Sequence, residues 1–187
     1  MLASTKLKGR YEVKGVLAKG GMGVVYLAVD GVMKRQVAVK TLLDITDTVA
    51  LQLFQKECEV LASMTHPNII EIYDVGEFEE EGVPRPFLVM PLLTGVTLDK
   101  LIRTSSQRLT VDRSIDIACQ ACRGLQAAHE KGLVHRDIKP SNIFVLKDDS
   151  IKIIDFGVAH SIEASRTAGR KGTLLYKIGR ASCRERV

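Results

Sequence analysis

The chain has 187 residues, 45% of them apolar, enough to pack one domain or slightly more. Its 27 basic and 22 acidic residues leave a net charge of +5, scattered rather than gathered on one stretch, which points away from nucleic acid as a partner. No apolar run reaches membrane-spanning length and no apolar stretch follows a basic start, so neither a membrane segment nor a secretory leader is expected, and the expected compartment is the cytoplasm.

In chain order, Val13 to Leu17, Val24 to Val29 and Gln36 to Leu42 alternate apolar and polar residues and predict three strands. Gly20-Gly21-Met22-Gly23 joins the first two. Residues 47–64 predict a helix, with Leu51, Phe54, Cys58 and Leu61 at helical spacing and His66-Pro67-Asn68 as its stop. Ile69 to Val75 and Phe87 to Met90 read as two more strands, and the acidic, Gly- and Pro-containing stretch 76–86 as a surface loop. A short helix over 97–103 and a long one over 111–131 follow, the latter with Ile115, Ala118, Cys119, Cys122, Leu125 and Ala128 on one face. Strands at 143–146 and 151–154 flank a Lys147-Asp148-Asp149-Ser150 turn. A strand-rich first part and a helix-led second part suggest two α+β lobes, divided near Pro91 to Gly95.

Of the four cysteines, Cys119 and Cys122 form a C-x-x-C. No second pair stands at ligand spacing and the surroundings are helical, so they read as small apolar residues one turn apart rather than as half a zinc site.

Five motifs carry chemistry. The stretch Leu17 to Tyr26 is a strand–turn–strand with glycines at its tip, where a backbone without Cβ atoms can approach phosphate oxygens; by itself it could equally be a plain turn. In Val37-Ala38-Val39-Lys40, a lysine behind small apolar strand residues falls on a sheet face, where it needs an anion. Glu57, on the following helix, is within reach of it; Glu59 lies about 200° further around that helix, so the two cannot both face inward. His135-Arg136-Asp137-Ile138-Lys139-Pro140-Ser141-Asn142 and Asp155-Phe156-Gly157 decide the reading together. Transfer of a phosphoryl group from ATP needs an orienting base for the attacking hydroxyl, oxygen ligands for metal ions and positive charge near the γ-phosphate. Asp137, Asn142, Asp155 and Lys139 supply those groups in the right order.

With these residues the chain resembles the eukaryotic-type (Hanks-type) Ser/Thr protein kinases, in their bacterial branch, over about Tyr11 to Tyr176. The resemblance implies a two-lobe fold. The first lobe, 11–90, would hold a five-stranded antiparallel sheet with one helix. The second, 91–176, would be incomplete, holding the hinge, the catalytic loop and the start of the activation segment. It implies ATP and Mg²⁺ as cofactors and Ser/Thr-bearing proteins as substrates. By position, Lys40 would hold the α- and β-phosphates and pair with Glu57, and Gly20, Gly21 and Gly23 would cover the phosphates beside Leu17. Val25, Ala38 and Phe144 would enclose the adenine, Met90 would guard the back of its pocket, and Pro91 to Leu93 would form the hinge. Asp137 would act on the substrate hydroxyl, Lys139 would offset charge on the transferred group, and Asn142 and Asp155 would bind the metal.

Two positions depart from the family pattern. Ala18 replaces the first loop glycine, and Pro91 replaces an acidic hinge residue while keeping the carbonyl that position offers. After Gly172-Thr173-Leu174-Leu175-Tyr176 the resemblance ends, with no Ala-Pro-Glu. One choice of ten codons for Ile178 to Val187 spells a common sequencing adapter, so residues 178–187 are expected to be a non-native tail and the chain a truncated, poorly active fragment. The rival readings are a pseudokinase or scaffold, disfavoured by the joint presence of Lys40, Glu57, Asp137, Asn142 and Asp155, and a small-molecule kinase, disfavoured by Lys139-Pro140.

Overall fold

The computed structural model describes residues 6–20, 23–42, 55–56, 58–80, 82–104 and 109–156. The chain divides into two units: unit one holds Met1–Thr65 and Ile70–Leu93, and unit two holds His66–Ile69 and Thr94–Val187.

Unit one is built on a six-stranded antiparallel sheet of β1 (Lys6–Leu7), β2 (Tyr11–Gly20), β3 (Gly23–Asp30), β4 (Arg35–Leu42), β5 (Asp74–Glu80) and β6 (Val83–Pro91), in the order β1-β2-β3-β4-β6-β5. Alternation of period two sends Val24, Tyr26 and Ala28 of β3, Val37 and Val39 of β4, and Phe87 and Val89 of β6 into one core. Residues 55–56 and 58–62 are helical and form the described part of α1.

Against the five expected strands, β1 is an addition and one strand is displaced. Residues 70–73 are not in a strand, and Ile69 makes only an isolated parallel bridge to Ile153. The strand instead runs Asp74–Glu80, and the stretch read as a loop forms most of the β5–β6 hairpin. The acidic residues and prolines that suggested a loop are compatible with strands here. Glu77 and Glu79 are exposed on β5 while Phe78 packs on the core. Pro84 and Pro86 stand where β6 extends past β4, which pairs only with Phe87–Pro91, so their missing N–H groups cost the sheet little.

Strands β1 and β5 are the two edges of this sheet, and Asp74 ties them together. Its carboxylate accepts from the Tyr11 hydroxyl at 2.8 Å and from the Lys8 ammonium at 3.3 Å. Lys8 also donates to the Val75 carbonyl. Gly76 leaves room for this contact, since a Cβ there would sit 2.3 Å from Lys8 Cε and 2.9 Å from Phe87 Cζ and would displace the lysine. At the same end of β2 and β3, where Tyr11 stands opposite Asp30, Arg10 forms a two-pronged pair with buried Asp30, at 2.8 and 2.7 Å.

Unit two contains β7 (Gly95–Thr97), α2 (Leu98–Thr104), α3 (Val111–Glu130), a 3-10 turn at Pro140–Asn142, β8 (Ile143–Leu146) and β9 (Ile151–Ile153), with β7-β8-β9 forming an antiparallel sheet. Strand β7 was not anticipated. Thr110 caps α3 by accepting from the Arg113 amide at 3.3 Å. The buried face of α3 is Ile117, Ala121, Gly124 and Ala128, which corrects the expected one: of that set only Ala128 is fully buried, and Ile115, Ala118, Cys119 and Cys122 are exposed. The helix carries apolar residues on two sides, and small residues face inward because the backbone of Asn68 comes close. A Cβ on Gly124 would lie 3.1 Å from the Asn68 carbonyl oxygen and 2.9 Å from Ile153 Cδ1. Buried Asn68 accepts from Ile153 N at 2.8 Å and donates from its side chain to the Ile151 carbonyl and to Gln120. Among the described residues no helix is long and apolar enough to cross a membrane.

Burial pushes the Asp74 carboxyl up, but the Tyr11 hydroxyl and Lys8 ammonium outweigh it and hold the group below its ordinary value. Its contribution to stability is therefore present above the unfolded-state value of about 4 and fades as pH falls through the lower folded-state value. Asp74→Asn is expected to lower unfolding free energy by about 1–3 kcal/mol at pH 7. Urea titrations of both proteins should show the difference shrinking at acidic pH. An equal difference at neutral and acidic pH would contradict the ionised clamp.

Candidate active site

In unit one, sheet register gathers the residues expected to meet the nucleotide. Lys40 stands between Val25 of β3 and Leu88 of β6, and Ala38 between Leu27 and Met90. With a side-chain period of two, Val25, Ala38, Lys40, Leu88 and Met90 share one face, opposite the Val37, Val39 and Phe87 core. Lys40 is only 7% exposed. An ammonium group so far out of water requires compensating negative charge, which fits a residue that meets phosphate or carboxylate.

The pairing of β2 with β3 runs to Gly20 opposite Gly23 and slips on either side of Val16. Leu17 occupies the second irregularity and is exposed. Among the described residues, a Cβ built on Gly20 meets nothing within 4 Å, and the space it leaves suits an approaching ligand. Met90, Pro91 and Leu93 are half-buried at and just after the end of β6, where Pro91 pairs with Val37. Gly21, Glu57 and the activation segment from Gly157 onward lie outside the described residues.

In unit two, the structure brings Asp137, Lys139 and Asn142 together. Lys139 Nζ lies 2.6 Å from Asp137 Oδ2. Asn142 donates its side-chain amide to the Asp137 backbone oxygen at 2.9 Å and to Oδ2 at 3.3 Å. Both Asp137 and Asn142 are buried. The 3-10 turn forms here because Pro140, at its first position, has no N–H to leave unpaired, and the Asn142 amide closes onto the Lys139 carbonyl at 2.9 Å. The Asn142 carbonyl in turn accepts from Ile154 N at 2.9 Å, fixing the residue before Asp155. Arg136 and Asp155 hold positive φ angles of 65° and 57°, uncommon for residues with a Cβ and typical of positions fixed by their surroundings. Phe144, half-buried on β8, pairs with Thr97 and Lys152.

His135 was quoted in the sequence motif without a role, and the structure gives it one. Its Nε2 lies 3.0 Å from the Ile154 carbonyl, its Nδ1 accepts from Asp137 N at 3.3 Å, and its ring stacks on buried Phe156 with centroids 4.7 Å apart. Burial lowers its pKa, an effect only partly offset by the Ile154 carbonyl, so the ring is neutral at pH 7 with the proton on Nε2. The sequence signal was a histidine flanked by Leu133 and Val134 immediately before the Arg-Asp pair.

Among the described residues no group of three or more His, Cys, Asp or Glu is arranged to hold a metal. A magnesium ion needs fewer protein ligands, since phosphate oxygens and water supply the rest. With its amide nitrogen given to Asp137, Asn142 has its side-chain oxygen left to offer, and Asp155 offers a carboxylate. Both are hard oxygen donors that suit Mg²⁺.

The model of the protein kinase domain matches residues 11–178. The chain belongs to the protein kinase family. It is 37% identical over 183 residues to the serine/threonine-protein kinase PknB of Mycobacterium tuberculosis, covering 94% of this chain and 29% of PknB. It is 39% identical over 176 residues to PknA of the same species, covering 91% of this chain and 41% of PknA. The chain thus spans well under half the length of these curated relatives. Among solved structures it is similar to the kinase domain of M. tuberculosis PknI, with a TM-score of 0.73 at 30% identity, covering 85% of this chain and 64% of that one. The fold is that of a bacterial Ser/Thr protein kinase domain.

Replacing His135 by Phe keeps a ring against Phe156 and removes both polar contacts. The expected result is a loss of about 1–2 kcal/mol in urea denaturation; the Asp137 amide keeps the His135 backbone carbonyl at 2.9 Å as acceptor, so the loss falls on the Ile154 carbonyl, which is left without the ring's N–H. Unchanged stability would contradict the bridging role.

Proposed function

We propose that the protein transfers the γ-phosphate of ATP, with Mg²⁺, to serine or threonine hydroxyls of other proteins. The observation that carries this reading is the cluster of buried Asp137 and Asn142 with half-buried Lys139, joined by contacts of 2.6–3.3 Å beside the turn that sets Asp155. Family membership supports it independently. Asp137 accepts or orients the proton of the attacking hydroxyl, its carboxylate direction fixed by the Asn142 amide. Lys139 balances the carboxylate before reaction and places positive charge near the group in transit. Lys40, buried on its sheet face, holds the nucleotide phosphates and pairs with Glu57, while Val25, Ala38, Met90 and Phe144 enclose the base. Asn142 and Asp155 would hold a magnesium ion through their side-chain oxygens, and the ion would supply positive charge against the phosphates.

A pseudokinase has no need of this complete set, and the Lys139-Pro140 pair with the Gly20-Gly21-Met22-Gly23 loop favours a protein over a small molecule as acceptor. By itself the 187-residue chain is expected to be a poor kinase, in keeping with the apolar Ile115–Cys122 side of α3 that the described residues leave exposed.

Asp137→Asn in the full-length protein should reduce phosphate transfer to a Ser/Thr substrate by at least about a hundredfold while leaving nucleotide affinity nearly unchanged. Radiolabelled ATP and a fluorescent nucleotide read the two quantities separately. Retention of activity within about tenfold would remove Asp137 from the chemistry.

Lys40→Met and Glu57→Ala should each depress activity, and the double variant should be little worse than either. Simple additivity in this cycle would show that the two side chains do not act as one pair.

A further inference from the structure

We infer that Cys119 and Cys122 form a redox site, a dithiol that a small disulfide such as glutathione disulfide closes into an internal bond, loosening the hold of α3 on β9. Both thiols are exposed, whereas Cys58 is buried. The inward face of α3 is supplied by Ile117, Ala121, Gly124 and Ala128, so the cysteines take no part in its packing there. Exposure separates a thiol that can meet an oxidant from an inert buried one. A metal ion is a poorer match, because among the described residues no third His, Cys, Asp or Glu joins the pair.

Helix geometry decides what the pair can do. Residues three apart in an α-helix have Cα atoms about 5 Å apart, inside the range a disulfide spans. Their Cβ atoms are about 5–6 Å apart, and a disulfide draws them to about 3.8 Å. The bond is within reach only if the turn 119–122 contracts by roughly 1–2 Å. A bond closed against the local backbone is readily reduced, which suits a reversible site rather than a permanent cross-link.

The turn that must contract carries Gln120. Its side-chain oxygen accepts from Ile151 N at 3.0 Å and from the Asn68 side-chain amide at 3.0 Å. Its own amide donates to the Asp149 carbonyl at 3.1 Å and to the Asp116 carboxylate at 2.8 Å. Ile151 opens β9, and just beyond that strand Ile154 N donates to the Asn142 carbonyl at 2.9 Å. All of these residues belong to unit two. A change of helix shape at 119–122 therefore reaches β9, and with it the catalytic loop, through one side chain.

The exchange balances. One protein thiolate attacks a sulfur of glutathione disulfide and releases one glutathione. The second thiolate attacks the protein sulfur of the mixed disulfide, forms the Cys119–Cys122 bond and releases the other glutathione. Two thiols are oxidised, one glutathione disulfide is reduced, and the two thiol protons pass to the departing glutathiones.

This inference goes beyond phosphate transfer and is tested without ATP. The full chain is equilibrated with increasing ratios of glutathione disulfide to glutathione, then mapped by mass spectrometry and by deuterium exchange. One tryptic peptide, Ser114 to Arg123, contains both cysteines. It should become two hydrogens lighter and regain them with dithiothreitol. In the oxidised chain the Ile151 amide should exchange about tenfold faster, while amides of the β3–β4 pair in unit one stay unchanged. Cys119→Ser and Cys122→Ser, each checked for folding by circular dichroism, should abolish both changes. Gln120→Ala should speed exchange at Ile151 in the reduced chain with no oxidant present. The mass change is read on the wild-type chain and stands whether or not a variant folds. Thiols that stay reduced at the highest ratio, glutathione adducts that never close, pairing with Cys58 or Cys183, or unchanged exchange at Ile151 after closure would each overturn the proposal.

Discussion

Asn142 makes two commitments at once, and the geometry of the catalytic loop depends on both. Its side-chain amide holds the carboxylate and carbonyl of Asp137, while its backbone carbonyl accepts the amide of Ile154. The Asp137 carboxylate and the strand end that presents Asp155 are therefore positioned by one residue. His135 supports the same link from the other side, joining the Asp137 amide to the Ile154 carbonyl across a neutral ring. In a buried setting each of these bonds is costly to lose, because the abandoned partner has no water to turn to. That cost keeps Arg136 and Asp155 in left-handed backbone conformations that an isolated chain would seldom visit.

Unit one reaches rigidity by another route. Its sheet is long enough to present Lys40, Ala38 and Met90 on one face only if the opposite face is closed over a core, and that closure draws the edge strands together at Asp74. Lys40 and Lys8 thus solve different problems. Lys40 is buried on the face opposite the core, and Lys8 lies half-exposed across the rim with its ammonium among oxygens.

Membership of the protein kinase family was legible in the sequence because phosphate transfer restricts residue types at fixed spacing, as in Asp137, Lys139 and Asn142, which the structure brings together. The strands β2, β3, β4, β8 and β9 were legible from their alternation. What escaped was whatever depended on distant partners. Asp74 and Lys8 are 66 residues apart, and Asn68 meets Ile151 across 83, with nothing local to announce either bond. The β5–β6 hairpin was hidden because its glutamates and prolines are loop residues by composition, and only the short reach of β4 makes them acceptable in a strand. The inward face of α3 was misread because its exposed side is the more apolar one: tight packing on Asn68 selects Ala121 and Gly124, while the bulkier Ile115 and the two cysteines point away.

The clamp at Lys8 also bears on self-association. An edge strand offers a row of carbonyl and amide groups to any other chain able to extend the sheet. Here β1 is only two residues long, and on β5 the Val75 carbonyl is already taken by a side chain of the opposite edge. Further along, Glu77 and Glu79 surround the remaining edge with like charge, so a second β5 arriving alongside would meet repulsion. The contact that closes the sheet therefore serves as protection against cross-strand aggregation, and its loss would expose a template for intermolecular pairing before the core itself came apart.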